Sequence, residues 1–151
     1  MQAHEIMVKE VYKVRETDTV RSVLERFIKY GISGLPVVNE RNEMVAYISD
    51  GDIMRYIGKH KDIIFVTIMY MNVVKGDQEE FEERIPQILD LNVMSIAKKK
   101  VHKVEWNEEV ENIAAILGEK RIKKLPVVRK GALVGIISRG DVIRHAFKSF
   151  L

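Results

Sequence analysis

The sequence predicts an α/β (α+β) protein assembled from two βαββα repeats. Three observations carry that prediction: a phrase written twice, an amphipathic helix pattern upstream of each copy, and a valine-containing run ahead of each helix. The phrase is LPVV, a short turn, an apolar run ending in Ser, then x-Gly-Asp. Pro36, Ser49 and Asp52 of the first copy recur in order as Pro126, Ser138 and Asp141. Recurrence of this length signals an internal structural repeat.

Each repeat opens with a predicted strand, Val11 to Val14 and Val101 to Val104. The first helix follows. TDTVRSVLERFIKYGI places Val20, Val23, Leu24, Phe27 and Ile28 on one helical face, and NEEVENIAAILGEKRI does the same with Val110, Ile113, Ala114 and Leu117. Thr17 and Asn107 are candidate N-caps, with Asp18, Glu108 and Glu109 where a helix start favours negative charge. LPVV then reads as a strand entered through proline. A turn, NERNE or RKG, leads to a second strand, MVAYIS or LVGIIS, and the repeat closes on a helix, DGDIMRYI or RGDVIRHA.

The repeats occupy residues 1–57 and 93–151, separated by an insertion over 58–92. Within the insertion, Pro86 is expected to end or kink any helix through GDQEEFEER. Ile63 to Val74 fits strand or helix. Met69 and Met71 flank Tyr70 there, as expected of packed core or a subunit contact.

Composition removes several classes of function. At 151 residues and 46% hydrophobic, the chain can bury one good core or two small ones packed together. It has no cysteine, which excludes a disulfide framework and fits a reducing, cytoplasmic setting. MQAHEIMVKEV lacks a signal-peptide apolar stretch, and the longest apolar run falls short of the roughly 18 residues of a membrane span. The net charge of +3 is spread along the chain, which argues against a nucleic-acid binder. The one dense cluster, Lys98 to Lys100 with Lys103, reads as a solvated turn. His4, His60, His102 and His145 show no i, i+4 pairing, so no metal site is expected. Trp106 reads as packing near a cleft mouth. With no nucleophile and base pair, P-loop or Rossmann fingerprint, the chain reads as a non-enzyme.

Ser-x-Gly-Asp stands where a strand gives way to a helix, and it supports two readings. In one, Ser caps the helix and Asp bonds back as in a capping box. In the other, the helix N-terminus and Ser face a phosphate while the carboxylate accepts ribose hydroxyls.

GISGLPVV with MVAYISDGDI, and RIKKLPVV with LVGIISRGDV, resemble the two halves of a tandem CBS-domain pair, or Bateman module. Ile6-Met7 and Val93-Met94 resemble the lead-in to each CBS domain. The resemblance implies two sheets packed about a pseudo-twofold axis, with two clefts that bind AMP, ADP, ATP or another adenosyl ligand as regulator. No further cofactor is required. It places Tyr12, Ile32, Ser33 and Gly34 around the base in the first cleft, with Ser138 and Arg139 toward phosphate and Asp141 on the ribose. The second cleft would use His102, Ile122, Lys123 and Lys124, with Ser49 toward phosphate and Asp52 on the ribose.

Arg139 offers a fork for phosphate where Asp50, its counterpart, offers a like charge. The first cleft is therefore expected to be the better site. The resemblance also implies a disc-like homodimer that passes ligand occupancy to a regulated protein. A scaffold with degenerate clefts is the alternative reading, and a DNA-binding regulator the weakest.

Overall fold

The computed structural model describes residues 1–151 apart from 61–62, 67–70, 75 and 77–79. Each repeat builds a three-stranded sheet. The first contains β1 (Val14–Arg15), β2 (Gly34–Val38) and β3 (Met44–Ser49), with helices α2 (Val20–Tyr30) and α3 (Asp50–Ile57), after a short α1 (Ala3–Ile6). The second contains β6 (Val104–Glu105), β7 (Lys124–Arg129) and β8 (Ala132–Ser138), with α5 (Val110–Glu119) and α6 (Arg139–Phe147). In both sheets the short first strand runs parallel to the second, and the second runs antiparallel to the third. Each antiparallel pair slips register at the same place, Val37/Val38 and Val127/Val128.

The repeats exchange their lead-ins. Ala3 and Ile6, ahead of the first sheet, are buried with Val104, Ile113, Leu125 and Ile137 in the second core. Ile88 and Val93, ahead of the second sheet, are buried with Val20, Val23, Leu35 and Ile48 in the first. The backbone follows the same exchange: Val8 and Ile136 bond each other in both directions (2.9 and 3.0 Å), and so do Lys98 and Tyr47 (2.9 and 2.9 Å).

Two sequence expectations are corrected. The first strands begin at Val14 and Val104 rather than Val11 and Val101, where the parallel pairing with β2 and β7 starts. The helix N-caps are Thr19 and Glu109, not Thr17 and Asn107, and neither bonds through its side chain. The first helical N–H is instead taken by the partner lead-in: Val20 donates to the Leu91 carbonyl and Val110 to that of Met1, both at 2.9 Å. Two residues of the expected apolar faces, Ile28 and Ala114, lie on the exposed side.

In the insertion, β4 (Ile63–Val66) and β5 (Met71–Val74) form an antiparallel hairpin, which settles the strand-or-helix ambiguity for those residues. Met71 is exposed, so it is not core, while Met69 and Tyr70 lie outside the described residues. A single turn, α4 (Phe81–Arg84), gives way before Pro86 to a 3₁₀ helix (Ile85–Asp90), as the proline requires. That helix lays Ile88 into the first core, so the end of the insertion is part of the fold.

Candidate functional site: two clefts shared by the repeats

Each Ser-x-Gly-Asp forms a capping box at the start of α3 or α6. Asp52 Oδ2 accepts from the backbone N–H (2.9 Å) and hydroxyl (3.2 Å) of Ser49, and Asp141 Oδ2 accepts from the same groups of Ser138 (2.9 and 2.9 Å). The other carboxylate oxygen of each is held by an arginine one turn on: Arg55 on Asp52, and Arg144 on Asp141 at 2.9 Å. The capping reading is therefore realised in both copies. Both carboxylates are buried, while both arginines are largely exposed and free to move aside.

For Asp141, burial alone would raise the pKa. Bonds from the Ser138 backbone, the Arg144 guanidinium and the Ser138 hydroxyl outweigh it, together with the guanidinium charge, and hold the carboxyl below its ordinary value.

Around these motifs lie two cavities, each walled by both repeats. The first, about 220 Å³, is lined by Val8, Glu10, Tyr12, Ile32, Gly34 and Ile136 with Ser138 and Asp141. The second, about 470 Å³, brings His102, Ile122, Lys123 and Lys124 together with Ser49 and Asp52. The cross-repeat grouping expected from the resemblance is thus the grouping the fold makes, with two exceptions. Ser33 lines the second cavity rather than the first, and its carbonyl accepts the Asp50 N–H at 2.8 Å.

Arg139 is the larger correction. Its guanidinium donates to the carbonyls of Ile122 (3.1 Å) and Leu117 (2.8 Å), closing the end of α5. It is not among the residues that line either cavity. The ranking of the first cleft above the second loses its phosphate fork, while its other ground, the like charge of Asp50 in the second cleft, stands. Volume favours the second cleft, since sites for drug-sized molecules occupy roughly 300–1,000 Å³.

Residues that the sequence did not assign to either cleft complete the second one: Tyr47, Asp50, Lys98, Lys100, Lys120 and Arg121. The lysine run therefore does more than form a solvated turn. Lys98 is pinned by its backbone to Tyr47, and Lys100, two residues on, joins it in lining the cleft. Tyr47 is packed over Gly34, where a Cβ would overlap the phenol oxygen and come within 2.9 Å of the ring. Burial, then the nearby Asp50 carboxylate, push the Tyr47 phenol up to about 12. A usable signal was present in the pairing of the copies, because Tyr47 stands where the other repeat has Ile136.

In the first cleft Tyr12 stacks on Tyr30, with centroids 4.1 Å apart. Trp106 packs against the second core, with the Arg129 guanidinium 4.2 Å over its ring. Among the described residues there is no cluster of His, Asp or Glu suited to a metal ion, and no helix long and apolar enough to cross a membrane.

The CBS domain profile matches residues 3–59 and 93–148, one match for each repeat. The chain belongs to the CBS-domain family. This CBS pair is 30% identical over 147 residues to an uncharacterized protein of Methanocaldococcus jannaschii, covering 92% of the chain and 87% of that relative. It is 30% identical over 152 residues to the chloroplastic CBS domain-containing protein CBSX1 of Arabidopsis thaliana, covering 95% of the chain and 63% of that protein. Its fold matches the crystal structure of CBSX2 in complex with AMP at a TM-score of 0.74, with 22% identity over 99% of this chain and 98% of the other. The mixed α+β architecture of paired three-stranded sheets is therefore that of solved CBS pairs.

Proposed function

We propose that this CBS pair is a regulatory, non-catalytic sensor of adenine nucleotides, with the second cleft as its principal site. The observation that carries the reading is the construction of that cleft. A cavity of about 470 Å³ is walled by both repeats, with Ser49 and Asp52 on one side and His102, Ile122, Lys123 and Lys124 on the other. A ligand bridging two halves of a pseudo-symmetric molecule has differential affinity for their relative arrangements, which is what a sensor needs. Binding an adenosyl ligand through Asp52 requires Arg55 to yield its carboxylate oxygen to the ribose, and Arg55 is exposed enough to do so. The CBSX2–AMP complex supports the ligand class by likeness of fold.

The scaffold reading has an observation of its own: the capping boxes and arginine pairs already use both oxygens of each carboxylate. Thermal shift with AMP, ADP, ATP, S-adenosylmethionine and buffer alone separates the two, because a ligand that binds the folded form raises the midpoint. The sensor reading predicts a rise with at least one adenosyl compound. An unmoved midpoint at millimolar concentrations of all of them leaves the scaffold. If any of them binds, Asp52→Ala should weaken it more than Asp141→Ala does; the reverse order would return the principal site to the first cleft.

A further inference from the structure

We propose that the second cleft selects its nucleotide by phosphate-chain length, taking a nucleoside triphosphate in preference to a monophosphate; this rests on the sensor reading above. Six cationic side chains line that cavity: Lys98, Lys100, Lys120, Arg121, Lys123 and Lys124. Among the described residues none of the six is in an ion pair. The first cavity has Glu10 and Asp141 against Lys124 alone.

The source of these cations is informative. Where the first repeat has Tyr30, Gly31, Ser33 and Gly34 before its LPVV strand, the second has Lys120, Arg121, Lys123 and Lys124. Four neutral positions have become four charges. A favourable helix dipole accounts for Lys120 at the end of α5. It does not account for Lys123 and Lys124, which follow the helix, or for Lys98 and Lys100, which come from another segment. Arg121 adopts φ +53°, matching Gly31 at +61° in the first repeat. A non-glycine side chain held in the left-handed region is strained, and such strain concentrates at functional positions.

Chain length enters through the opposite wall. The start of α3 is a poor phosphate cradle, because its first donors are already used: Asp50 N–H bonds the Ser33 carbonyl (2.8 Å) and Gly51 N–H bonds the Asp50 side chain (2.8 Å). Asp50 also puts negative charge beside Ser49, whereas the Asp52 carboxylate is paired with Arg55. A single phosphate near Ser49 meets the Asp50 carboxylate. A longer chain leaves it and gains Lys98, Lys100, Lys120, Arg121, Lys123 and Lys124, each contact strengthened by full charge on both partners.

Calorimetric titration of the full chain at low ionic strength, with a chelator present so that no divalent ion masks the phosphates, tests this. ATP should bind at least tenfold more tightly than AMP. In Lys120→Ala/Lys123→Ala, both exposed positions, ATP should fall to the affinity of AMP. Lys29→Ala/Lys148→Ala removes the same charge outside the cavity and should leave the ratio in place. A ratio that survives the first double variant overturns the proposal, and so does inorganic tripolyphosphate or duplex DNA binding as tightly as ATP, which would mark an unspecific basic patch. If AMP binds and ATP is no tighter, phosphate-length selection fails and the sensor reading stands. If no adenine nucleotide binds, both fall.

Discussion

At Gly135 the two repeats touch through a single missing carbon. A Cβ there would overlap the Met7 sulfur and sit 2.9 Å from the Met7 Cβ, close to its backbone, so little can give way. In the first repeat Ala46 holds the equivalent place in the sheet and small Ala97 the place of Met7. Gly135→Ala should therefore destabilise by about 1–3 kcal/mol, and Met7→Ala in the same chain should recover part of the loss. Denaturant melts of the two single variants and the double variant form the cycle that measures this coupling; strict additivity would show the contact is not shared.

Titration gives two further tests with opposite signs. The lowered pKa of Asp141 favours its ionised form in the fold. That stabilisation is complete above the unfolded carboxylate value of about 4 and is lost as pH falls through the lower folded value. Asp141→Asn should lower the melting midpoint at neutral pH, and the gap to wild type should narrow in acid. A gap that stays constant down to pH 2 would show that the charge is not what stabilises. Tyr47 is the reverse case. Its stabilisation is present below the ordinary phenol value of about 10 and is lost as pH rises toward about 12. Ultraviolet titration should show a late-ionising tyrosine that Tyr47→Phe removes.

Among the elements, strands and helices were legible where one residue's neighbours in sequence decide its environment. The apolar stripe of α2, the proline-led strands and the Ser-x-Gly-Asp helix starts are all of this kind. What could not be read is everything the opposite repeat supplies. Nothing within TDTVRS shows that Leu91 will accept the Val20 N–H, so a local side chain, Thr17, stood in for a cap that comes from elsewhere. Arg139 misled for a related reason, since a guanidinium beside Ser138 suits phosphate in isolation but is engaged by the carbonyls of Leu117 in α5 and of Ile122 just beyond it.

The exchanged lead-ins predict an unusual response to truncation at one end. Ile6 is buried in the second core, so Ile6→Ala should cost about 2–5 kcal/mol. Native-state hydrogen exchange should then quicken in β7 and β8 more than in β2 and β3. Faster exchange confined to the first sheet would contradict the exchange of elements.

Across the whole molecule, the pseudo-symmetry that builds the clefts also repeats a pattern of exposed apolar side chains. Two residues after each motif aspartate stand Met54 and Ile143, 58% and 60% exposed. Phe147 and Phe150 extend the exposed patch along α6 and the 3₁₀ turn that follows it. The matched exposure fits an isologous contact, in which the same face of two chains meets across a twofold axis. It also agrees with the homodimer that the CBS resemblance implies. Ile143 and Phe147 stand one turn apart on α6, so their exposed side chains share a helix face, and Met54 is the exposed apolar counterpart on α3. Met54→Glu/Ile143→Glu puts like charges at both matched positions, so a dimer built on this face should dissociate while each repeat keeps its core. Sedimentation velocity should show wild type at twice the chain mass and the double variant at the mass of one chain, with far-ultraviolet dichroism unchanged. A wild-type protein that sediments as a monomer at tens of micromolar would remove the dimer, and a double variant that stays dimeric would move the contact to another face.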